Sequence, residues 1–199
     1  MPFCFIILQV QFALMTFNLF GKKEKGQPQG VFTDKTYIST AAKMNACLDL
    51  AKKEPNAIFI AWFPETARKF KAFYLQHGIP ENRVIESRHV HMSLMQDKTA
   101  VFIEHYPMHN KELELVQHWP QQQFMVFSAM DEPLFKHFGS EKMIPLMKML
   151  GMKEEEAIEH IMVSRSITKG QDKIASQVVV EQSADSQQRW MDINIRKIS

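Results

Sequence analysis

The sequence predicts an α/β fold, a mainly parallel sheet with flanking helices and a C-terminal helical extension. Two observations carry that prediction. Asn56-AIFIAW-Phe63 is continuously apolar, the pattern of a central parallel strand covered on both faces. Around it, strand-like β-branched and aromatic runs alternate with helix-period stripes, joined by the short connections typical of such sheets.

In chain order, Lys35–Thr40 reads as a strand, and Ala41–Glu54 as a helix with Met44, Cys47, Leu48 and Ala51 on one face. After the central strand, Pro64 opens a helix with an inward stripe of Ala67, Phe70, Phe73, Tyr74 and His77. Gly78 ends it. Arg83–Glu86 and Thr99–Glu104 are further strands, and a helix from Asn110 to Trp119 leads to a strand at Phe124–Ser128.

Asp131 is placed to cap a helix carrying Pro133 in its first turn, and Gly139 stops that helix. Ser140 caps a second helix, with Met143, Leu146, Met147 and Leu150 at helical spacing and Gly151 at its close. A third, longer helix is expected from Lys153 to about Gln182, its early acidic residues suiting the positive end of the helix dipole. Along it Val163, Ile167, Gly170, Ile174 and Val178 form a stripe that must be buried somewhere. The expected organisation is an apolar leader and linker over 1–30, an α/β domain over 31–139 and a helical segment over 140–199.

Composition narrows the function. The chain of 199 residues is long enough for a sizeable core, and 45% hydrophobic with 23% charged residues is ordinary for a globular protein. A net charge of +2 with scattered basic residues gives no nucleic-acid footprint. Cys4 and Cys47 are far apart and form no Cys-x-x-Cys pair, which fits a reduced, cytoplasmic setting.

Residues 1–20 are apolar but interrupted by Gln9, Gln11 and Asn18, and they lack a basic start and a small-residue cleavage site, so a signal peptide is not expected. Two readings stay open: an inner-membrane anchor followed by Lys22, Lys23 and Lys25, or a true start at Met15. Three amides inside a span favour the second. Gly21 to Gly30 reads as a flexible linker.

The stretch from Phe124 to Ile174 contains Ser128-Ala-Met-Asp131, Leu134-Phe-Lys-His-Phe-Gly139 and Ile158-Glu-His-Ile-Met-Val-Ser164. It resembles the segment of the SecA preprotein translocase ATPase that joins the second motor domain to the helical scaffold. Upstream, Ala57 to Ile85, through His77-Gly78-Ile79-Pro80, is similar to the same family's second RecA-like, helicase C-terminal-type domain. The resemblance implies a degenerate RecA-like domain plus the start of the scaffold.

Two departures bear on activity. Seven glycines never form the G-x-x-x-x-G-K-[ST] loop whose amides and lysine cradle phosphate. Between Glu104 and Phe124, where the family carries its arginine-rich γ-phosphate sensor, this chain has HYPMHNKELELVQHWPQQQ, without arginine or glycine. An arginine finger contributes about three to five orders of magnitude in phosphoryl transfer.

The expectation is therefore a protein that is not an enzyme and needs no cofactor. It would act as an interaction module, meeting a protein partner or a second copy through the stripe from Val163 to Val178. The alternative is a small-ligand or metal-binding protein using the carboxyl-terminal edge of the sheet, with Glu86, His91, Glu104 and His105 as its polar groups. His89, His91, His105 and His109 are the candidate metal ligands, since His-x-His in extended chain places both rings on one side.

Overall fold

The computed structural model describes residues 31–195. The leader, its linker and the question of the true start lie outside those residues. Five strands, β1 (Phe32–Tyr37), β2 (Ala57–Ala61), β3 (Val84–Glu86), β4 (Thr99–Phe102) and β5 (Phe124–Ala129), form one sheet. Their order is β1-β5-β4-β2-β3, and every neighbouring pair is parallel. Helices α1 (Thr40–Lys53), α2 (Pro64–Gln76), α3 (His109–Val116), α4 (Pro133–His137), α5 (Ser140–Met149), α6 (Ile161–Ala175) and α7 (Gln187–Asn194) surround it. The predicted α/β architecture is present, and it is consistent with a RecA-like fold.

Local chemistry explains most boundaries. Ser39 Oγ accepts the Ala42 amide 3.1 Å away and starts α1, whose last turn holds Lys52 and Lys53 where cations are favoured. All five residues of β2 are buried, as its continuous apolar run requires. Pro64 opens α2, and Gly78 at φ +73° ends it in a conformation that a Cβ would strain.

Three apolar clusters result. On one face of the sheet, Phe59, Val101, Ile103 and Phe127 pack against Cys47 and Leu48 of α1 and Phe70 and Tyr74 of α2. On the other, Ile58, Ile60, Phe102 and Val126 pack against Val116 and Trp119. The third joins Phe63, Met108, Leu134 and Phe135 to Ile167 and Ile174 of α6 and Trp190 and Met191 of α7. The segment after residue 140 thus shares a core with the α/β part.

Several boundaries differ from expectation. β1 begins at Phe32 rather than Lys35, because residues 32–37 pair in register with Phe124–Ala129. Asp131 does not cap its own helix: Glu132 occupies the cap position of α4, and the Leu134 amide is met by Gln187 Oε1 at 2.8 Å. Gly139, not Ser140, precedes α5, and the Ser140 hydroxyl donates to the Met130 carbonyl. His77 faces outward, with Nδ1 2.8 Å from the Phe73 carbonyl.

The largest difference is α6, which starts at Ile161 instead of Lys153 and ends at Ala175. Thr36 of the edge strand β1 exchanges two backbone hydrogen bonds with Ile158, at 3.2 and 2.8 Å, so the chain is tied to the sheet edge there and the acidic residues before it form a turn instead of a helix start. An edge strand's unpaired amides and carbonyls outweigh the weak preference of acids for a helix start.

Candidate functional site

In this strand order β2 leads into α2 on one face of the sheet and β4 leads towards α3 on the other, so their carboxyl ends splay apart. Such a reversal point is where open α/β sheets hold ligands. Here much of the crevice is filled by the chain's own polar groups.

Glu104 follows β4 directly. Its Oε1 accepts the amides of Trp62 and Phe63, both at 2.9 Å, and its Oε2 accepts the Thr66 hydroxyl at 2.7 Å. These groups form the start of α2. Burial pushes the Glu104 carboxyl up to about 7, against the pull of Lys43 and the hydrogen bonds from Thr66 and Phe63. Asp131 does the same for α1, accepting the Thr40 amide at 2.9 Å and its hydroxyl at 2.7 Å. A carboxylate of the protein thus stands at each helix start, the position that favours a bound anion.

Beside Glu104, the fully buried Lys43 donates to the Ile103 carbonyl at 2.6 Å and to Glu132. Burial alone would lower its pKa, but Glu132 and Glu104 outweigh that and hold the ammonium above its ordinary value.

His105 forms the second buried group. It donates from Nε2 to Asp34 Oδ1 at 2.7 Å and from Nδ1 to Glu112 Oε1 at 3.0 Å. Burial works against its charge, yet the two carboxylates dominate and raise its pKa to about 10. The same charge, against the penalty of burial, holds Glu112 below the usual carboxylate range. His109 Nδ1 lies 3.5 Å from Glu112 Oε2, with its ring edge-on to Phe32.

The proposed ligand constellations do not assemble. His105 uses both ring nitrogens internally, His89 and His91 are exposed on short turns after β3, and Glu86 pairs with Arg88 at 2.7 Å. Among the described residues no group of three or more His, Cys, Asp or Glu side chains is placed to hold a metal ion.

The α6 stripe is covered by the chain itself. Ile167 and Ile174 are 3% and 1% exposed, Val163 and Val178 pack at the margin of the same cluster, and a Cβ on Gly170 would stand 2.4 Å from the Phe138 ring. Ile167 and Ile174 of the stripe are therefore core, and Val163, Gly170 and Val178 are half-buried beside them. Gln171 Nε2 donates to the Tyr106 carbonyl at 2.7 Å, and Gln187 Nε2 to the His105 carbonyl at 2.9 Å. With these bonds α6 and α7 close over the crevice.

Sequence reading missed Lys43, Asp34, Gln171 and Gln187. Lys43 carries a signal, because it lies one turn before Cys47 on the apolar face of α1. The others carry none.

An open cleft of about 870 Å³ remains beside this plug, walled by Trp62, Phe63 and Tyr106 and flanked by Arg88, Lys111 and Arg189. The Tyr106 hydroxyl and Trp190 Nε1 both donate to Glu181, which fixes that wall. Among the described residues no helix is long and apolar enough to cross a membrane.

No family model matches the chain. A stretch of 50 residues is similar to the protein translocase subunit SecA of several bacteria, with 46% identity in Ehrlichia canis, 48% in Acidithiobacillus ferrooxidans and 42% in Psychrobacter sp.. That stretch is 25% of this chain and only 5–6% of those relatives. The chain carries a SecA-related segment.

Proposed function

We propose that this protein is a non-catalytic, protein-binding relative of part of SecA that acts in the cytoplasm alongside protein translocation. The observation that carries this reading is the occupation of the starts of α1 and α2 by Asp131 and Glu104. Phosphoryl transfer needs positive charge and free amides around the transferred group. Here the amides are taken by carboxylates, the buried cations Lys43 and His105 are already paired with carboxylates of the chain itself, and no phosphate-loop motif compensates.

A docking surface is supported on α5 rather than α6. Met143 and Met149 are 51% and 82% exposed there, Leu150 just after it is 48% exposed, and Met162 at the start of α6 is 47% exposed. Flexible methionines suit adaptable apolar contacts, and exposed apolar side chains on this helix would offer an interaction site for a protein partner or a second copy.

The test has two arms. Ligand binding raises stability by mass action, by about 2.7 kcal/mol at a hundredfold excess over Kd. The expected result is no melting shift with millimolar Mg-ATP and no hydrolysis. A clear shift or turnover overturns the non-catalytic reading. Met143→Asp with Met149→Asp should abolish capture of a cytoplasmic partner, or dissociate an oligomer in light scattering, with circular dichroism unchanged. Unchanged association in that variant overturns the α5 surface.

A further inference from the structure

The open cleft combines features that the plugged crevice beside it lacks. Of the cations on its lining, Arg88 is paired with Glu86 at 2.7 Å and Lys111 with Glu114 at 3.0 Å. Arg189 is different: its guanidinium has no hydrogen-bond or ion-pair partner among the described residues, and neither does the carboxylate of Asp185, also on the lining. These two are four residues apart where the chain enters α7, yet they are not paired with each other.

Ser186 between them caps α7 by accepting the Arg189 amide at 3.1 Å, and the Asp185 carbonyl accepts the Glu65 amide at 2.9 Å, so the backbone at both positions is fixed. On the same lining Trp62 is stacked on Phe102 with ring centres 5.5 Å apart and leans on Tyr106 at 5.1 Å, an aromatic wall already held in place.

An exposed guanidinium and an exposed carboxylate, neither paired within the described residues, share the lining of about 870 Å³ with a preorganised aromatic wall, a set of groups that one ligand with a charged head and a ring could engage together. We infer that this cleft binds a free aromatic amino acid: its carboxylate on Arg189, its ammonium against Asp185 and its ring against Trp62 and Tyr106. A phosphate is a poorer match, because the amides that would cradle it at the start of α2 are taken by Glu104. The assignment is independent of the protein-binding role and names residues that the sequence did not suggest.

The experiment follows the indole N–H signal of Trp62, assigned with Trp62→Phe, in a nitrogen-15 correlation spectrum of the full chain. The probes are L-phenylalanine, 3-phenylpropionate, which lacks the ammonium, and 2-phenylethylamine, which lacks the carboxylate. Phenylalanine should give a saturable shift at about millimolar concentration, with each truncated probe at least about fivefold weaker. Arg189→Gln should reduce phenylalanine to the level of phenylethylamine, and Asp185→Asn to that of phenylpropionate.

No saturable shift up to about 10 mM overturns the inference. So does equal binding of all three probes, which is apolar adsorption, or indifference to both variants. Mg-ATP moving the same signal would count against the non-catalytic reading, so the two failures are separable.

Discussion

Replacing His105 by leucine should strip a buried cation from between two buried carboxylates. Asp34 and Glu112 are 4% and 1% exposed and receive the ring nitrogens at 2.7 and 3.0 Å. Breaking a buried pair by removing one partner costs about 3–5 kcal/mol, because the remaining charge has no solvent to turn to. A pKa raised from 6.5 to about 10 by the two carboxylates against the penalty of burial corresponds to about 5 kcal/mol of preference for charged His105 in the native state, the same order.

Because the folded value is raised, this stability is fully present below pH 6.5 and is lost as pH climbs through about 10. Urea unfolding followed by circular dichroism at pH 6, 8 and 10 measures it. Wild type should weaken progressively above neutrality. His105→Leu should be about 3–5 kcal/mol weaker at pH 6, a fall of roughly 6–20 °C in Tm, with little slope above pH 7. Adding Asp34→Asn and Glu112→Gln to the leucine variant should recover at least half of the loss, since no charge is then left unpaired. A loss below about 1 kcal/mol, or an unchanged slope between pH 7 and 10, would refute the ion-pair account.

Glu104 titrates in a lower window: its carboxyl is raised from 4.5 to about 7, so its contribution is present below pH 4.5 and lost by about pH 7. Glu104→Gln, which keeps an acceptor for the Trp62 and Phe63 amides, should erase that decline in urea titrations, whereas Glu104→Ala should lose about 2–3 kcal/mol at pH 5. Gly170→Ala should cost about 1 kcal/mol in the same assay, because a Cβ 2.4 Å from the Phe138 ring outweighs the gain in helix propensity; in a Phe138→Ala background it should instead stabilise by about 1 kcal/mol. Ile167→Glu and Ile174→Glu should each abolish cooperative unfolding, and a folded monomer of either would contradict the buried position of α6.

Much of the architecture is legible in the residues because the signals are local. The buried run of β2, Pro64 and Gly78 around α2, and the apolar faces of α1 and α2 each depend on nearest neighbours and on helix or strand period. The errors fall where a distant segment decides. α6 begins eight residues late because Thr36, more than a hundred residues away, takes Ile158 into the sheet edge. Asp131 looks like the cap of its own helix, and the fold turns it to α1.

The same division governs the site. Sequence alone determined that there is no phosphate loop and no arginine between Glu104 and Phe124, since covalent order is enough to exclude a motif. It also marked Glu104 and His105 as notable residues at a strand end. Only the tertiary structure decided what they do. Whether a carboxylate or an imidazole faces a ligand, a metal or another side chain depends on which groups packing brings within about 3 Å of it in a low-dielectric interior. Here packing brought Trp62, Phe63 and Thr66 to Glu104 and Asp34 and Glu112 to His105, while it left Asp185 and Arg189 facing an open cleft.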